Sequence, residues 1–279
     1  MSLYITVTTD LVLSLYASLE NCLPWQSRWY QHRFDKFRVL HKGRQIGASD
    51  YFSLEALLDA CLTGKNKTFI VPESSDDDAF MCSEFHYMAR HASVNDSLLS
   101  DHKTIHLSTG ATIYFISDKE DLPNDCGDIY LSEWAWFSNP EKTLDKVKIM
   151  SSVGGVIFYD TTESSSLEKD ALRDAITRTN FKNLFVYSPR DSQNNIEVVP
   201  LSRVTDKGRI TLYSSRDKND KGHEIDRNQL FNGYYDVVPH IVTELGREVI
   251  DYDVLHERRL SFGDELFNEL FLCQLPVKP

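Results

Sequence analysis

The stretch Phe37–Leu62 reads FRVLHKGRQIGASDYFSLEALLDACL, and it decides the fold class. Its first five residues form the short apolar run of a strand, and the residues from Tyr51 to Leu62 are largely of types that proteins bury in a helix. Between them lies Lys42–Ser49, with the sequence KGRQIGAS. The order of strand, loop and helix is the unit from which α/β domains with a parallel sheet are built.

The loop Lys42–Ser49 has features of a phosphate-binding loop. Backbone N–H groups between a buried strand and a helix N-terminus converge on an anion, and the helix dipole adds to the attraction. Gly43 and Gly47 allow close approach of the backbone, and Ser49 offers a hydroxyl to magnesium. The common pattern GxxxxGK[ST] is not met, because Ala48 occupies the lysine position.

Two cations, Lys42 and Arg44, lie within reach of phosphates bound at this loop. On spacing alone, two interpretations stay open. The segment is either a nucleotide site or a tight strand-to-helix turn that carries basic residues on the surface.

Strands and helices alternate along much of the chain, which predicts a mostly parallel sheet flanked by helices. Further strands are predicted at Thr68–Val71, Thr104–Leu107, Thr112–Ile116, Asp128–Leu131 and Val156–Tyr159, and further helices at Asp10–Asn21, Asp76–Ala92 and Tyr252–Cys273. The two strands around Ser108–Gly110 form a hairpin, and Asp76, Asp77 and Asp78 suit the positive end of a helix dipole.

The pattern becomes irregular near residues 163–232, where a hairpin is predicted around Asp206–Gly208. No repeat, low-complexity tract or Gly/Ser linker interrupts the chain. We therefore expect a single domain over residues 1–279. It would consist of a core at about 23–162, a decoration at about 163–236 and a closing segment at about 237–279.

The composition predicts a soluble intracellular protein. The 279 residues are 41% hydrophobic, and 30 basic against 42 acidic residues give a net charge of −12. This charge opposes DNA binding by bulk electrostatics, although a ring can line its channel with a few basic residues. The five scattered cysteines predict reduced thiols rather than disulfides or a zinc site. No apolar run reaches the roughly 20 residues of a membrane span, and no signal peptide is evident.

Polar residues that follow other strands add candidate catalytic groups. Glu133 ends the strand that begins at Asp128 and suits a general base, whereas Ser132 stands where an aspartate that organises magnesium is expected. Hydroxyls of Thr161 and Thr162 follow a third strand, where a sensor of the γ-phosphate would sit. Upstream, the Gln26 amide has both the donor and the acceptor that an adenine edge requires.

These motifs, in this order, resemble the ATPase core of the large terminase subunit of tailed bacteriophages. The resemblance is strongest to the branch from temperate contractile-tailed phages, whose phosphate loop reads close to KSRQIGAT. It covers about Leu23–Asp160 and His240–Gln274. The matching segments are WQ at 25–26, KGRQIGAS at 42–49, STGATIYFIS at 108–117, DIYLSEWAWF at 128–137 and IFYDTTESS at 157–165.

The resemblance implies a P-loop NTPase fold of the RecA-like (ASCE) type and a site that uses ATP and Mg²⁺. In this site Gln26 would contact adenine, Glu133 would activate water, and Thr161 and Thr162 would couple hydrolysis to movement. Arg44 would bridge to the γ-phosphate as a second catalytic residue. The phosphates would be held by Lys42, Gly43, Arg44, Gln45, Ile46, Gly47, Ala48 and Ser49, and Mg²⁺ by Ser49 with Ser132 as a weak ligand.

The implied function is ATP hydrolysis that drives double-stranded DNA into a preformed capsid. The implied partners are DNA, the portal protein, the small terminase subunit and further copies of the chain in a ring on the procapsid. The implied location is the host cytoplasm and, transiently, the portal, without a membrane. The nuclease carboxylates of the family have no counterpart in the chain, so an ATPase domain without a nuclease is expected.

Two alternatives remain at this point. Ser132 and the negative charge favour a degenerate terminase-like module that binds nucleotide but hydrolyses little. The third interpretation is a different P-loop translocase or helicase from a virus or mobile element.

Overall fold

The computed structural model describes residues 2–35, 37–73, 82–94, 103–134, 137–139, 142–143, 146–147, 154–161, 184–190, 195–200, 211–214, 233–238, 243–244, 247–248 and 252–272. The strands of the central region are β1 (Ser2–Ile5), β2 (Phe37–Lys42), β3 (Lys67–Val71), β4 (Thr104–Leu107), β5 (Thr112–Ser117), β6 (Asp128–Ser132) and β7 (Val156–Thr161). They are followed by β8 (Leu184–Arg190), β9 (Asn195–Pro200), β10 (Thr211–Ser214), β11 (Gly233–Val238), β12 (Thr243–Glu244) and β13 (Arg247–Glu248). The helices are α1 (Thr9–Glu20), α2 (Pro24–Gln31), α3 (Ala48–Thr63), α4 (Ser83–His91), α5 (Tyr252–Phe262) and α6 (Asp264–Leu272).

Eight strands form the main sheet in the order β1-β4-β5-β3-β6-β7-β2-β11. All neighbours pair in parallel except β4 and β5, which form the predicted antiparallel hairpin. The carboxyl ends of β2, β3, β6 and β7 therefore meet at one edge of the sheet. This arrangement brings together the residues that follow four separate strands.

Helix α3 is buried along most of its length, which fits its nearly continuous run of apolar and aromatic residues. The Phe52 ring stacks on Tyr159 with ring centroids 4.4 Å apart, and it meets Trp29 edge to face at 5.5 Å. Aromatic pairs at such distances favour one relative orientation. They fix the start of α3 relative to β7 and α2.

The region predicted to be irregular contains a small sheet. Strands β8, β9 and β10 are antiparallel in the order β10-β8-β9. These strands were not predicted, because their mixed polar and apolar residues follow no clear period. The hairpin predicted at Asp206–Gly208 lies outside the described residues, and the strands on either side of it both pair with β8.

Several elements differ from the sequence prediction. The segment predicted as one helix from Tyr252 divides into α5 and α6 at Gly263, whose φ of 77° is left-handed and ends the first helix. Helix α4 begins at Ser83, and the aspartates at 76–78 lie outside the described residues. Strand β1, which was not predicted, adds a parallel edge beside β4. Within the described residues, no helix combines the length and apolarity that a membrane crossing requires.

Candidate functional site

A cavity of about 630 Å³ opens above the loop between β2 and α3. Its volume lies within the usual range for small-molecule sites, roughly 300–1,000 Å³. It is lined by Lys42, Arg44, Gln45, Ile46, Gly47, Ala48, Ser49, Asp50, Pro72, Ser83, Tyr87 and Glu133. The structure thus gathers most of the predicted phosphate loop and the predicted base around one space.

The loop backbone has an unusual conformation that suits an anion cradle. Gln45 and Gly47 have φ values of 61° and 76°, both in the left-handed region. At Gly47 a side chain would be strained, and its Cβ would meet the Gln26 amide nitrogen at 3.2 Å. Helix α3 begins directly afterwards at Ala48, and the first N–H groups of a helix lack partners within it. These N–H groups are available for an anion in the cavity.

Gln26 holds this loop in place from helix α2. Its Oε1 accepts a hydrogen bond from the Leu23 backbone N–H at 2.8 Å, and its Nε2 donates to the Gly47 carbonyl at 3.0 Å. The residue is buried. An adenine contact would require one of these bonds to be exchanged, so that role stays a prediction.

Two further backbone contacts fix the beginning of the loop. The Gly43 N–H donates to the Val238 carbonyl at the end of β11, and the Arg44 N–H donates to the Leu270 carbonyl of α6, both at 2.8 Å. Because the acceptors are backbone groups, side-chain patterns gave no signal for these contacts. The closing segment of the described chain therefore helps to shape the loop.

Lys42 and Glu133 form an ion pair across the cavity. Lys42 is the last residue of β2, and Glu133 follows β6 with a left-handed φ of 47°. The Glu133 N–H donates to the Tyr159 carbonyl at 2.8 Å. A non-glycine residue in this conformation stores backbone strain, which is common at functional sites. The pairing brings the predicted base against a loop cation that was predicted to contact phosphate.

Asp50 also lines the cavity, but α4 neutralises its charge. Its Oδ1 lies 2.8 Å from Arg90 Nη2 and 3.1 Å from His91 Nε2. Burial alone would raise the pKa of the Asp50 carboxyl, but His91 and Arg90 outweigh it and hold that pKa below the ordinary value. This carboxylate therefore adds little repulsion toward a bound anion.

The other predicted residues have different positions. The Ser132 hydroxyl is buried and donates to Glu84 Oε1 at 2.7 Å. Thr161 is the last residue of β7, and Thr162 lies outside the described residues. The described residues contain no group of three or more His, Cys, Asp or Glu side chains that could hold a metal alone. Nucleotide-bound Mg²⁺ generally takes many of its ligands from phosphates and water, so a site of this kind does not need such a group. The roles of Ser49 and Ser132 as Mg²⁺ ligands stay predictions.

Sequence reasoning missed the contribution of α4. Ser83 and Tyr87 line the cavity, and Glu84 contacts Ser132 from behind. A signal was present, because Glu84 lies one turn before Met88 and so falls on the apolar face of its helix. A carboxylate on a buried face requires a specific partner.

The sheet and the cavity define the class of the protein. A strand, a glycine-containing loop and a helix N-terminus meet at the carboxyl edge of a mostly parallel sheet, where α/β proteins bind their ligands. This is the α/β architecture of P-loop NTPases, and the predicted fold class is confirmed.

Sequence comparison gives the family. The model of the family described as terminase large subunit, T4likevirus-type, N-terminal, matches residues 39–234. The match covers more than half of the chain, and the chain belongs to this family. The resemblance inferred from the motifs is confirmed at this level.

Two relatives come from temperate phages. The chain is 32% identical over 122 residues to the Terminase, ATPase subunit of Escherichia phage P2, which is 43% of this chain and 20% of that protein. It is 27% identical over 135 residues to the Probable terminase, ATPase subunit of Haemophilus phage HP1, which is 48% of this chain and 22% of that protein. The matched part of the chain thus spans about a fifth of these relatives' length.

Two solved structures of the large terminase ATPase domain of Thermus phage P74-26, one of them a mutant, also align with the chain. Both are 14% identical, with TM-scores of 0.45 and 0.42. The alignments cover 93% and 87% of this chain and 97% and 90% of those chains.

Proposed function

We propose that this chain is the ATP-hydrolysing motor domain of a viral terminase, which drives double-stranded DNA into a preformed capsid. The observation that carries the proposal is one cavity lined by both the loop cations, Lys42 and Arg44, and the acid Glu133. All three lie within the segment that matches the terminase family. The P2 and HP1 relatives are named as ATPase subunits, which supports the same activity.

In the proposed site, the loop from Lys42 to Ser49 binds the phosphates of ATP and Arg44 bridges to the γ-phosphate. Glu133 is the general base that activates water. The Lys42 ammonium holds Glu133 until a phosphate competes for it. The Ser49 hydroxyl would hold Mg²⁺, which would supply positive charge against the phosphates. Thr161 and Thr162 couple hydrolysis to movement.

The proposed assembly is a ring of copies on the portal of the procapsid, with DNA and the small terminase subunit as further partners. The proposed location is the host cytoplasm. Residues 1–279 would act as one ATPase domain. The net charge of −12 then requires that DNA contact depends on a local basic surface of the ring rather than on the whole chain.

Steady-state ATP hydrolysis with Mg²⁺, with and without double-stranded DNA, tests the motor function. The substitution Glu133→Gln should keep nucleotide binding, measured by calorimetry, and lower turnover at least about tenfold, because general-base help contributes roughly a hundredfold to ten-thousandfold. Glu120→Gln is the matched control, since it breaks an exposed Lys103–Glu120 pair of the same chemistry. Equal turnover in Glu133→Gln and the unsubstituted protein would remove Glu133 from this role.

A degenerate module that binds nucleotide without turnover is the second candidate. The observation in its favour is Ser132, whose hydroxyl is engaged by Glu84 at the place where an acid is expected. Nucleotide binding without hydrolysis, in the presence and absence of DNA, would favour this function over the motor.

A further inference from the structure

Glu84 is a buried carboxylate in the first turn of α4, and it faces the end of β6. It is 1% exposed. Its Oε1 accepts hydrogen bonds from the hydroxyls of Ser132 at 2.7 Å and Tyr159 at 2.8 Å. Its Oε2 accepts from the Ser83 hydroxyl at 3.0 Å and from the Cys82 thiol at 3.4 Å. Among the described residues, all donors to this carboxylate are neutral.

A buried carboxylate with only neutral donors is electrostatically incomplete. Buried charges in proteins are usually paired with an opposite charge or bind a metal ion, because hydrogen bonds alone replace only part of the lost hydration. Glu84 has its hydrogen bonds but no cation among the described side chains. A cation that arrives with a ligand would complete this arrangement.

The position of Glu84 is fixed beside the start of α3. The Ser53 hydroxyl lies 2.7 Å from the Ser49 carbonyl oxygen and 2.9 Å from that of Glu84. One side chain thus links the first turns of α3 and α4. Ser83, which precedes Glu84, lines the cavity together with Ser49. The Glu84 carboxylate therefore lies behind the cavity wall, between the phosphate loop and the end of β6.

We propose that Glu84 supplies from α4 the carboxylate that position 132 lacks, and that with Ser49 and Ser132 it orients the Mg²⁺ of a bound nucleotide. The inference rests on the proposed function and names a positioning residue for its site. Mg²⁺ in nucleotide sites is commonly bound through one or two carboxylates plus phosphates, so one acid is enough.

Serine at position 132 suits an acid that comes from α4. Because Ser132 Oγ lies 2.7 Å from Glu84 Oε1, an aspartate at 132 would bring two carboxylates into contact. Like charges at such a distance disfavour ionisation of one of them. The Ser132 hydroxyl instead donates a hydrogen bond to Glu84 and holds the carboxylate in place. Position 132 thus positions the acid rather than supplying it.

The test is a Mg²⁺ titration of the binding of a non-hydrolysable ATP analogue, followed by calorimetry. Glu84→Gln keeps the size of the side chain and one acceptor oxygen but removes the charge. The Mg²⁺ concentration for half-maximal tightening should rise at least about tenfold, as is typical when a group supporting a metal is lost. Binding of the analogue in EDTA should not change. An unchanged Mg²⁺ requirement would overturn the inference.

A charge swap separates this role from simple packing. In the double variant Ser132→Asp with Glu84→Gln, the carboxylate moves to the strand end, and the Mg²⁺ requirement should return toward that of the unsubstituted protein. If Glu84 has only a structural role, the double variant should show no such recovery. A double variant whose Mg²⁺ requirement stays high would therefore contradict the inference. Glu84→Asp, which keeps the charge but shortens the side chain, provides a second measurement if Glu84→Gln folds poorly, and it should also raise the Mg²⁺ requirement.

Failure of the inference can be told from failure of the proposed function. If the unsubstituted protein binds no nucleotide, the proposed function fails and this inference falls with it. If it binds nucleotide with a Mg²⁺ dependence that Glu84→Gln leaves intact, only the role of Glu84 fails. Nucleotide binding that is independent of Mg²⁺ in the unsubstituted protein also overturns that role.

Discussion

Two buried glutamates on adjacent helices have opposite electrostatic surroundings. Glu55 of α3 is 2% exposed, and Arg38 binds both of its oxygens, at 2.6 and 2.9 Å. Glu84 of α4 is 1% exposed and has only hydroxyl and thiol donors among the described residues. Buried tyrosine hydroxyls also donate to both carboxylates, those of Tyr51 and Tyr130 to Glu55 and that of Tyr159 to Glu84.

This difference in surroundings distinguishes Glu55, a carboxylate that stabilises the fold, from Glu84, a carboxylate that we propose acts at the nucleotide site. The Arg38–Glu55 pair is complete within the protein, so nothing that enters the cavity can improve it. Glu84 lies beside the cavity and would gain from a cation, which none of the described side chains provides. Equal burial and similar hydrogen bonding therefore do not imply equal function, and the counterion distinguishes the two.

The largest expected effect comes from making the same substitution at both glutamates. Glu55→Gln leaves the Arg38 charge buried without its partner, which should lower the free energy of unfolding by about 3–5 kcal/mol. Glu84→Gln leaves no cation of the described residues without its partner, so in the absence of Mg²⁺ it should lower the free energy of unfolding by only about 1 kcal/mol or less. Urea unfolding in EDTA measures both. Equal losses in the free energy of unfolding would show that the two carboxylates contribute equally to stability.

A smaller effect is expected for a third carboxylate, Asp128 at the opposite end of β6 from Ser132. Burial alone would raise the pKa of the Asp128 carboxyl, but Lys67 and the Gly155 N–H outweigh it and lower that pKa below its ordinary value. A lowered folded-state pKa gives stability that is present above the unfolded pKa and is lost as the pH falls through the folded one.

Asp128→Asn should therefore lower the unfolding free energy at neutral pH by about 1.5 kcal/mol, the lower range for a hydrogen bond to a charged group. The difference from the unsubstituted protein should shrink below pH 4. Urea unfolding at a series of pH values measures this. Asp121→Asn is the control. The Asp121 side chain is exposed in its ion pair with Lys146, so this substitution should have no measurable effect on the free energy of unfolding. A difference that stays constant with pH would contradict the assignment.

Much of the sheet could be predicted because its strands are short apolar runs with clear ends. The segments at 37–41, 68–71, 112–116 and 128–131 all became strands within one or two residues of the prediction. The position of the loop between β2 and α3 was also predicted, since glycines and cations between a strand and a helix are visible in a single stretch of sequence. Local sequence patterns were sufficient to predict features that are formed by consecutive residues.

The rest of the site depends on contacts that no local pattern encodes. Ser132 and Glu84 are 48 residues apart in the chain but in hydrogen-bond contact. The acid was sought in the strand that contains Ser132, whereas it comes from a helix whose start was placed several residues too early. The carbonyls of Val238 and Leu270 that hold the loop carry no side-chain signature at all.

The smallest expected effect compares the two tyrosines. Burial and the nearby Glu84 charge raise the pKa of the Tyr159 phenol well above its ordinary value, so its hydroxyl stays a donor at neutral and alkaline pH. Burial and Glu55 do the same for the pKa of Tyr130. The Tyr159 bond is 2.8 Å long and the Tyr130 bond 3.2 Å. The substitutions Tyr159→Phe and Tyr130→Phe therefore each remove one hydrogen-bond donor to a buried glutamate.

Tyr159→Phe should lower the unfolding free energy by about 1 kcal/mol, and Tyr130→Phe by about 0.5 kcal/mol, the range for single buried hydrogen bonds. The larger loss is expected at Tyr159, because all donors to Glu84 among the described residues are neutral, whereas Glu55 keeps Arg38 and the Tyr51 hydroxyl. Mg²⁺ with a nucleotide should reduce the loss in Tyr159→Phe, since a cation near Glu84 would substitute for the missing donor, and should leave Tyr130→Phe unchanged. Thermal unfolding with and without the ligand measures the difference, and an equal response of the two variants would mean that the ligand cation does not interact with Glu84.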